Sequence, residues 1–172
     1  MAGELDDPRR TEPAFGLGER EMLEGWLEFH RTTLELKCEG LDDAQRKAQP
    51  VPTSVLSLHG LVRHMAEVER QWFRKRLDED ADAYYRWPDD TLEDPDIAPL
   101  DDAVWADDLL AWREDCESSR QVAARHGLDD AGDHNGQACT LRWIYVHMIE
   151  EYARHNGHAD LLRELVDGAV GW

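Results

Sequence analysis

The positions of the prolines constrain the fold of this chain most strongly, because a proline inside a helix removes a backbone donor and breaks the helix. All seven prolines lie outside four long segments in which apolar residues recur with helical spacing. No segment alternates apolar and polar residues as a half-buried strand does, so no strand is predicted. The spacing predicts helices over residues 18–38, 54–77, 101–126 and 140–166.

Four amphipathic helices of this length predict an all-α fold, a four-helix bundle with a long acidic crossover loop between the second and third helices. The loop carries Tyr84, Tyr85 and Trp87, which we expect to fold back over one end of the bundle, as a lid or as simple packing. We predict a flexible N-terminal segment over residues 1–17 and the bundle domain over residues 18–172.

The net charge of −19 limits the partners that the chain can bind. Nucleic acid and anionic lipid would both be repelled, so neither is expected as a partner. Residues 78–108 hold 13 acidic residues and one basic residue, Arg86. We interpret most of this acidity as a solvating surface.

The N-terminal residues, the lack of a long apolar stretch and the spacing of the cysteines predict a cytoplasmic protein. The N-terminal residues are polar and lack the apolar region of a secretory signal, and no window has 18 consecutive apolar residues. The three cysteines, Cys38, Cys116 and Cys139, are odd in number and far apart. They are therefore expected to be reduced and to form no disulfide framework.

The fourth predicted helix has an apolar seam that polar residues interrupt. Three central positions of this seam are polar, and at about 100° per residue they share one face of the helix. His147 lies at the edge of the same face, one turn before Glu151. The seam runs through Leu141, Ile144, Met148, Glu151, His155, His158, Leu162 and Leu165.

A carboxylate in the core of a bundle requires a compensating cation. A metal ion is one possibility, because Glu151 and His155 are one turn apart and can converge on a single ion. A buried salt bridge to Arg63, Arg142 or Arg154 is the alternative.

A metal site on this face would need a third ligand from another helix. Two histidines lie on apolar faces of the first two predicted helices: His30 in the first and His64 in the second. A lone histidine on such a face is often a core residue, and the spacing leaves both candidates open.

Two stretches, LSLHGLVRHMAEVERQWF and LRWIYVHMIEEYARHNGHADLLRE, resemble the DinB/YfiT-like metal-dependent superfamily. The resemblance extends from about Leu23 to Gly168. It is strongest to a branch from mycothiol-producing actinobacteria, which is related to mycothiol-dependent maleylpyruvate isomerase. The resemblance implies a four-helix bundle that holds a divalent metal, zinc or nickel, through three protein ligands.

The resemblance also implies a ligand set. His64 matches the ligand of the second helix, and His155 matches the last ligand. Glu151 stands where most relatives have histidine, although the maleylpyruvate isomerases are similar in having glutamate there. His158 stands where many relatives have glutamine, which implies an outer-shell role shared with His147, or a place for His158 as ligand instead of Glu151.

The function implied by the resemblance is activation of a low-molecular-weight thiol, mycothiol, for S-transfer or isomerisation in detoxification or metabolism. The partners would be that thiol and an electrophile, and the family implies a homodimer. Two alternatives use other chemistry: a metal-dependent hydrolase, in which a bound water replaces the thiol, and a non-catalytic metal-binding or helical interaction protein.

Overall fold

The computed structural model describes residues 7–80, 82–88, 94–98 and 100–170. Among these residues 59% are helical, which confirms the predicted all-α class, a helical bundle. None of the helices in the described ranges is long and apolar enough to cross a membrane. The helices are α1 (Glu19–Cys38), α2 (Asp43–Lys47), α3 (Leu58–Glu69), α4 (Trp105–Ala124) and α5 (Leu141–Asp167).

The four long helices lie where the periodicity predicts them, and only two of their starting points differ by more than one residue. α3 begins at Leu58 rather than at residue 54, and α4 begins at Trp105 rather than at residue 101. The delay in α3 has a local cause: Thr53 has a φ of +70°. In addition, the Ser54 hydroxyl accepts a hydrogen bond from the Leu56 backbone at 3.2 Å, which holds these residues in a turn.

The short helix α2 was not predicted, because five residues are too few to show helical periodicity. Its beginning does carry a sequence signal, the capping box formed by Asp42 and Gln45. The Asp42 carboxylate accepts a hydrogen bond from the Gln45 backbone at 2.8 Å, and the Gln45 side chain accepts one from the Asp42 backbone at 2.9 Å.

The second long helix changes its hydrogen bonding in its last two turns. From Arg70 to Leu77 the chain continues α3 as π-helical turns, called the π segment below. The backbone N–H of Asp78 donates to the carbonyl of Phe73, five residues earlier, at 3.1 Å. π-Helical turns are rare and occur frequently at functional sites. Both α4 and the strands described next pack against the π segment.

The prediction that the chain has no strands is wrong at one place. Strands β1 (Ala131–His134) and β2 (Gln137–Thr140) form an antiparallel hairpin in the connection between α4 and α5. Asn135 and Gly136 make the turn with φ values of +54° and +83°, as a two-residue type I′ hairpin requires. Four residues per strand are too few for alternation to be visible, but the Asn-Gly pair is a sequence signal for this turn.

Gly132 fixes the hairpin against the π segment. A Cβ atom at this position would lie 1.9 Å from the carbonyl oxygen of Arg76, so no other residue fits without movement of the backbone. The side chain of Arg76 adds a second contact, because its Nε donates to Nδ1 of His134 at 2.7 Å.

The described residues form two compact units. The first unit contains the chain up to Leu58 and from Tyr145 onward, with α1, α2 and most of α5. The second unit contains His59–Ile144, with most of α3, the π segment, α4 and the hairpin. The predicted boundary at residue 18 stays a prediction, and residues 1–6 lie outside the described part of the chain.

Both units contain buried apolar residues. The three cysteines are buried, and none of them forms a disulfide with a described residue. The seam prediction for α5 is wrong at its last position, because Leu165 is 59% exposed. Fully buried positions of the first unit include Leu27, Leu34, Met148, Tyr152, Ala159 and Leu162, and those of the second include Leu61, Val62, Met65, Phe73, Trp112, Cys116 and Ile144.

The acidic crossover returns to α3 within the second unit. Residues 81, 89–93 and 99 of this loop lie outside the described part. In the remainder, the guanidinium of Arg63 lies 4.4 Å from the centre of the Trp87 ring and donates to the Pro95 carbonyl at 3.3 Å. Tyr84 and Tyr85, by contrast, are 71% and 50% exposed. The tryptophan, and not the tyrosines, therefore anchors the aromatic cluster.

Candidate metal centre

Four polar side chains of α5 lie along one face in the first unit, as the spacing predicted. We call them the histidine face: His147, Glu151, His155 and His158. Glu151 is at their centre, with each carboxylate oxygen directed toward a different imidazole. Oε2 lies 3.4 Å from Nε2 of His155, and Oε1 lies 3.6 Å from Nε2 of His147. The structure therefore brings all four predicted residues of this helix together.

His158 extends this arrangement by one more turn. Its Nδ1 lies 3.4 Å from Nδ1 of His155, and the two rings meet edge to face with centroids 5.3 Å apart. His155 thus presents Nε2 toward Glu151 and Nδ1 toward His158. The side chains of Glu151 and His155 are only 16% and 10% exposed, so these two polar groups are largely removed from water.

The distance between Glu151 and His155 suits a shared cation better than a direct hydrogen bond. A charge-assisted hydrogen bond from nitrogen to a carboxylate measures about 2.7–2.9 Å. Two donors held tetrahedrally by one cation, each at about 2.0–2.2 Å from it, stand about 3.4 Å apart. The Nε2–Oε2 distance of 3.4 Å between His155 and Glu151 matches the second arrangement.

A second group of donors overlaps with this one. Donor atoms of His147, Glu150 and Glu151 lie within 4.8 Å of one another, so that these residues could also hold a metal ion. Sequence reasoning missed Glu150, which lies off the seam and is exposed. Its carboxylate is paired with the guanidinium of Arg154. Arg154 was one of the three arginines offered as salt-bridge partners of Glu151, and in this unit it pairs with the neighbouring glutamate.

His64, in the second unit, is oriented by a carboxylate. Its Nδ1 lies 2.7 Å from Oδ2 of Asp96, and its side chain is 24% exposed. Burial raises the pKa of the Asp96 carboxyl, but the hydrogen bond with His64 and the positive charge of Arg63 hold that pKa below its usual range. The ionised carboxylate can only accept, so Nδ1 carries a proton, and in the neutral ring Nε2 then has the lone pair that a metal ion requires.

His30, the other candidate for the third ligand, takes part in a different set of contacts. The Nδ2 atom of Asn156 donates to the backbone carbonyl of His30 at 3.0 Å and lies 3.4 Å from its Nδ1. The ring also packs beside Trp26 and Phe29. Burial lowers the pKa of His30, and the charge of Arg10 lowers it further. Among the described residues His30 belongs to neither group of potential metal donors.

A family model described as mycothiol-S-transferase matches residues 22–168, which is most of the chain. The chain belongs to the mycothiol S-transferase family. Membership confirms the resemblance to a mycothiol-associated DinB/YfiT-like family and gives the chain a mycothiol-related function. No curated protein and no solved structure matches the chain.

In this member of the mycothiol S-transferase family, two aspartates of the acidic run at residues 78–108 are buried and are not part of a solvating surface. Asp96 and Asp108 are only 5% and 8% exposed, and each pairs with a histidine of α3. Asp96 contacts His64, and Oδ2 of Asp108 lies 2.8 Å from Nε2 of His59. Sequence reasoning missed both pairs because their members are 32 and 49 residues apart.

Proposed function

We propose that this chain is a metal-dependent mycothiol S-transferase or isomerase, with His64, Glu151 and His155 as the metal ligands. The three side chains are of the types that could hold a divalent ion together, and two nitrogens with one oxygen suit zinc or nickel. The observation that carries the proposal is the Glu151–His155 pair of the first unit. These two residues are one helical turn apart and have donor atoms separated by 3.4 Å.

Three protein ligands would leave a coordination position for substrate, which is typical of catalytic sites. When bound, the ion would lower the pKa of a thiol placed at that position, and the thiolate is the reactive nucleophile. The thiol sulfur then forms a bond to the electrophilic carbon of the second substrate, and the leaving group departs with the electron pair of its own bond. In an isomerisation the thiol is released again.

The chain's own histidines would take up the proton of the thiol. His158 lies beside His155, and His147 lies beside Glu151, so both are within reach of the ligands without replacing them. An imidazole has a pKa suited to accept a proton near neutral pH. We assign His147 and His158 to proton transfer and to the orientation of the ligands.

The partners that we propose are a small thiol, mycothiol, and an electrophile. The chain carries a net charge of −19, which disfavours nucleic acid and anionic membranes. The homodimer and the cytoplasmic location stay predictions. Light scattering of the purified protein tests the first, and a dimer mass of twice 19.8 kDa is the expected result.

Metal analysis of purified protein tests the ligand set. We expect about one equivalent of zinc or nickel per chain in the wild type and less than about 0.1 equivalent in Glu151→Gln, because an amide is a poor ligand for these ions. Glu150→Gln is the matched control. It should retain the metal if His64, Glu151 and His155 are the ligands, and it should lose the metal if His147, Glu150 and Glu151 hold it instead.

Conjugation of mycothiol to monochlorobimane tests the reaction. The metal-loaded protein should form the conjugate, and the Glu151→Gln variant should not. Metal-dependent cleavage of an ester or amide in the absence of thiol would show a hydrolase instead. Bound metal without either reaction would show a metal-binding protein, and absence of metal from the wild type would contradict the ligand assignment.

A further inference from the structure

Asp96 is unusual within the acidic crossover because it is turned away from solvent. Most of the run from residue 78 to residue 108 was expected to solvate the surface, yet the side chain of Asp96 is only 8% exposed. Its carboxylate accepts a hydrogen bond of 2.7 Å from Nδ1 of His64. This contact joins a loop residue to the histidine that the proposed function places on the metal.

The segment around Asp96 is held against α3 by the residue next to His64. Arg63 is 5% exposed, and its guanidinium is sandwiched between two parts of the crossover. It lies over the ring of Trp87 at 4.4 Å and donates to the carbonyl of Pro95 at 3.3 Å. Since Pro95 directly precedes Asp96, Arg63 holds the backbone of Asp96 in place while His64 binds its side chain.

We propose that Asp96 is a positioning residue of the metal centre, which keeps His64 protonated on Nδ1 and directs its Nε2 lone pair at the ion. This inference rests on the proposed function, because it takes His64 as a ligand. Carboxylates that bind the remote nitrogen of a metal-bound histidine fix its tautomer and ring orientation and increase its basicity.

The same helix provides an internal comparison. His59, one turn and one residue before His64, also bonds to an aspartate of the second unit, but through the other ring nitrogen. Its Nε2 lies 2.8 Å from Oδ2 of Asp108, and its buried Nδ1 has no hydrogen-bond partner in the part of the chain that the structure describes. His59 is fully buried and is edge-on to Trp105. The His59–Asp108 pair is therefore a structural pair of the same chemical type.

The test compares Asp96→Asn with Asp108→Asn, two isosteric changes at the two His–Asp pairs of α3. We expect Asp96→Asn to weaken metal binding by about 10–100-fold in a competition titration with a chelator. Asp108→Asn should weaken metal binding much less than Asp96→Asn, because Asp108 bonds to a histidine that is not a ligand and its Oδ2 lies 3.9 Å from Nε of Arg63, beyond hydrogen-bond distance. Asp96→Glu, which keeps an anionic acceptor on a longer side chain, should fall between the wild type and Asp96→Asn.

A second readout follows the tautomer of His64 without metal. Long-range ¹H–¹⁵N spectra of the metal-free wild type should show His64 protonated on Nδ1, and those of Asp96→Asn should show the proton moved wholly or partly to Nε2. Thermal unfolding of the same samples identifies the folded variants that the comparison uses. If Asp96→Asn does not fold, the comparison is made with Asp96→Glu, whose affinity should still be lower than that of Asp108→Asn.

The outcomes separate this inference from the proposed function. A wild type that binds metal, together with an Asp96→Asn variant of unchanged affinity or unchanged tautomer, overturns the role of Asp96 and leaves the metal centre in place. A wild type that binds no metal overturns both. Equal losses in Asp96→Asn and Asp108→Asn also overturn the inference, because they would reflect general destabilisation of α3.

Discussion

Acidic side chains that are shielded from water have different basic neighbours in the two units of this protein. The histidine face of the first unit surrounds Glu151 with imidazoles. In the second unit, Glu67 and Asp115 are surrounded by guanidinium groups. We call this set, Glu67, Arg70, Arg86 and Asp115, the arginine cluster. Its acids are the more deeply buried, at 2% and 4% exposure.

The acids of the arginine cluster are paired with guanidinium groups. Oδ2 of Asp115 lies 2.8 Å from Nη1 of Arg86, and Oδ1 lies 3.4 Å from Nη1 of Arg70. Glu67 accepts a hydrogen bond of 2.7 Å from the Arg86 backbone. Arginine stays protonated at all relevant pH values and cannot bind a metal. The cluster therefore neutralises itself, whereas the imidazoles around Glu151 can release a proton and bind an ion.

The comparison teaches that burial of an acid does not by itself identify a functional site. The kind of side chain beside the acid decides. A guanidinium forms an ion pair with the acid and offers no lone pair, whereas an imidazole nitrogen that is neutral can bind an ion together with the carboxylate, as the 3.4 Å between His155 and Glu151 allows. The predictions that follow test this distinction.

Arg70→Leu should have the largest effect on stability. It leaves Asp115 and Glu67 with one arginine fewer in a buried site and removes the hydrogen bond of 2.8 Å to the Tyr84 carbonyl. We expect a loss of about 3–5 kcal/mol in the free energy of unfolding, measured with urea on metal-free protein. A loss below about 1 kcal/mol would show that the arginine cluster contributes less than its burial suggests.

Glu67→Gln should change the pH dependence of stability. Burial raises the pKa of Glu67 above its ordinary value of 4.5, so the folded state holds this proton more tightly than the unfolded state. The wild type therefore loses stability as the pH rises from about 4.5 through the raised pKa. The difference in unfolding free energy between Glu67→Gln and the wild type should grow in favour of the variant over this range. A difference that is independent of pH would contradict it.

Glu151→Gln should have a smaller effect on the metal-free protein. Among the described residues of the first unit, the neighbours of the Glu151 carboxylate are histidines and not arginines. These histidines can become neutral when the carboxylate is removed, so no unpaired charge remains. We expect the unfolding free energy to change by less than about 1 kcal/mol, in contrast to Arg70→Leu. A loss as large as that of Arg70→Leu would mean that both clusters are structural.

Arg154→Ala should have the smallest effect. The Arg154–Glu150 pair is exposed on α5, with side chains that are 55% and 47% accessible, and exposed pairs one turn apart contribute about 0.3–0.5 kcal/mol. Thermal unfolding should shift only slightly, and the metal content should match that of the wild type. A loss of metal would place Glu150, which Arg154 holds, among the ligands.

What could be predicted from the sequence was local. Helical periodicity gave four helices, and the spacing of Glu151 and His155 correctly predicted a shared face, since both properties depend on residues within one or two turns. The aspartate partners of His64 and His59 could not be predicted. Asp96 and Asp108 are 32 and 49 residues away in the sequence, and helical spacing does not determine where the crossover loop brings them. The hairpin had a readable signal at Asn135 and Gly136, while the change to π-helical turns after Glu69 had none.

The contact between Gly132 and the Arg76 carbonyl has a consequence for related sequences. The backbone of the hairpin contacts the backbone of the π segment at this point, so the conformation of one restricts the residues that fit in the other. Relatives that keep the π-helical turns should also have glycine at the position of Gly132, and relatives with a larger residue there should have an ordinary α-helix in place of the π segment. The presence of glycine at the position of Gly132 would then predict π-helical turns at the position of Arg76, more than fifty residues earlier in the sequence.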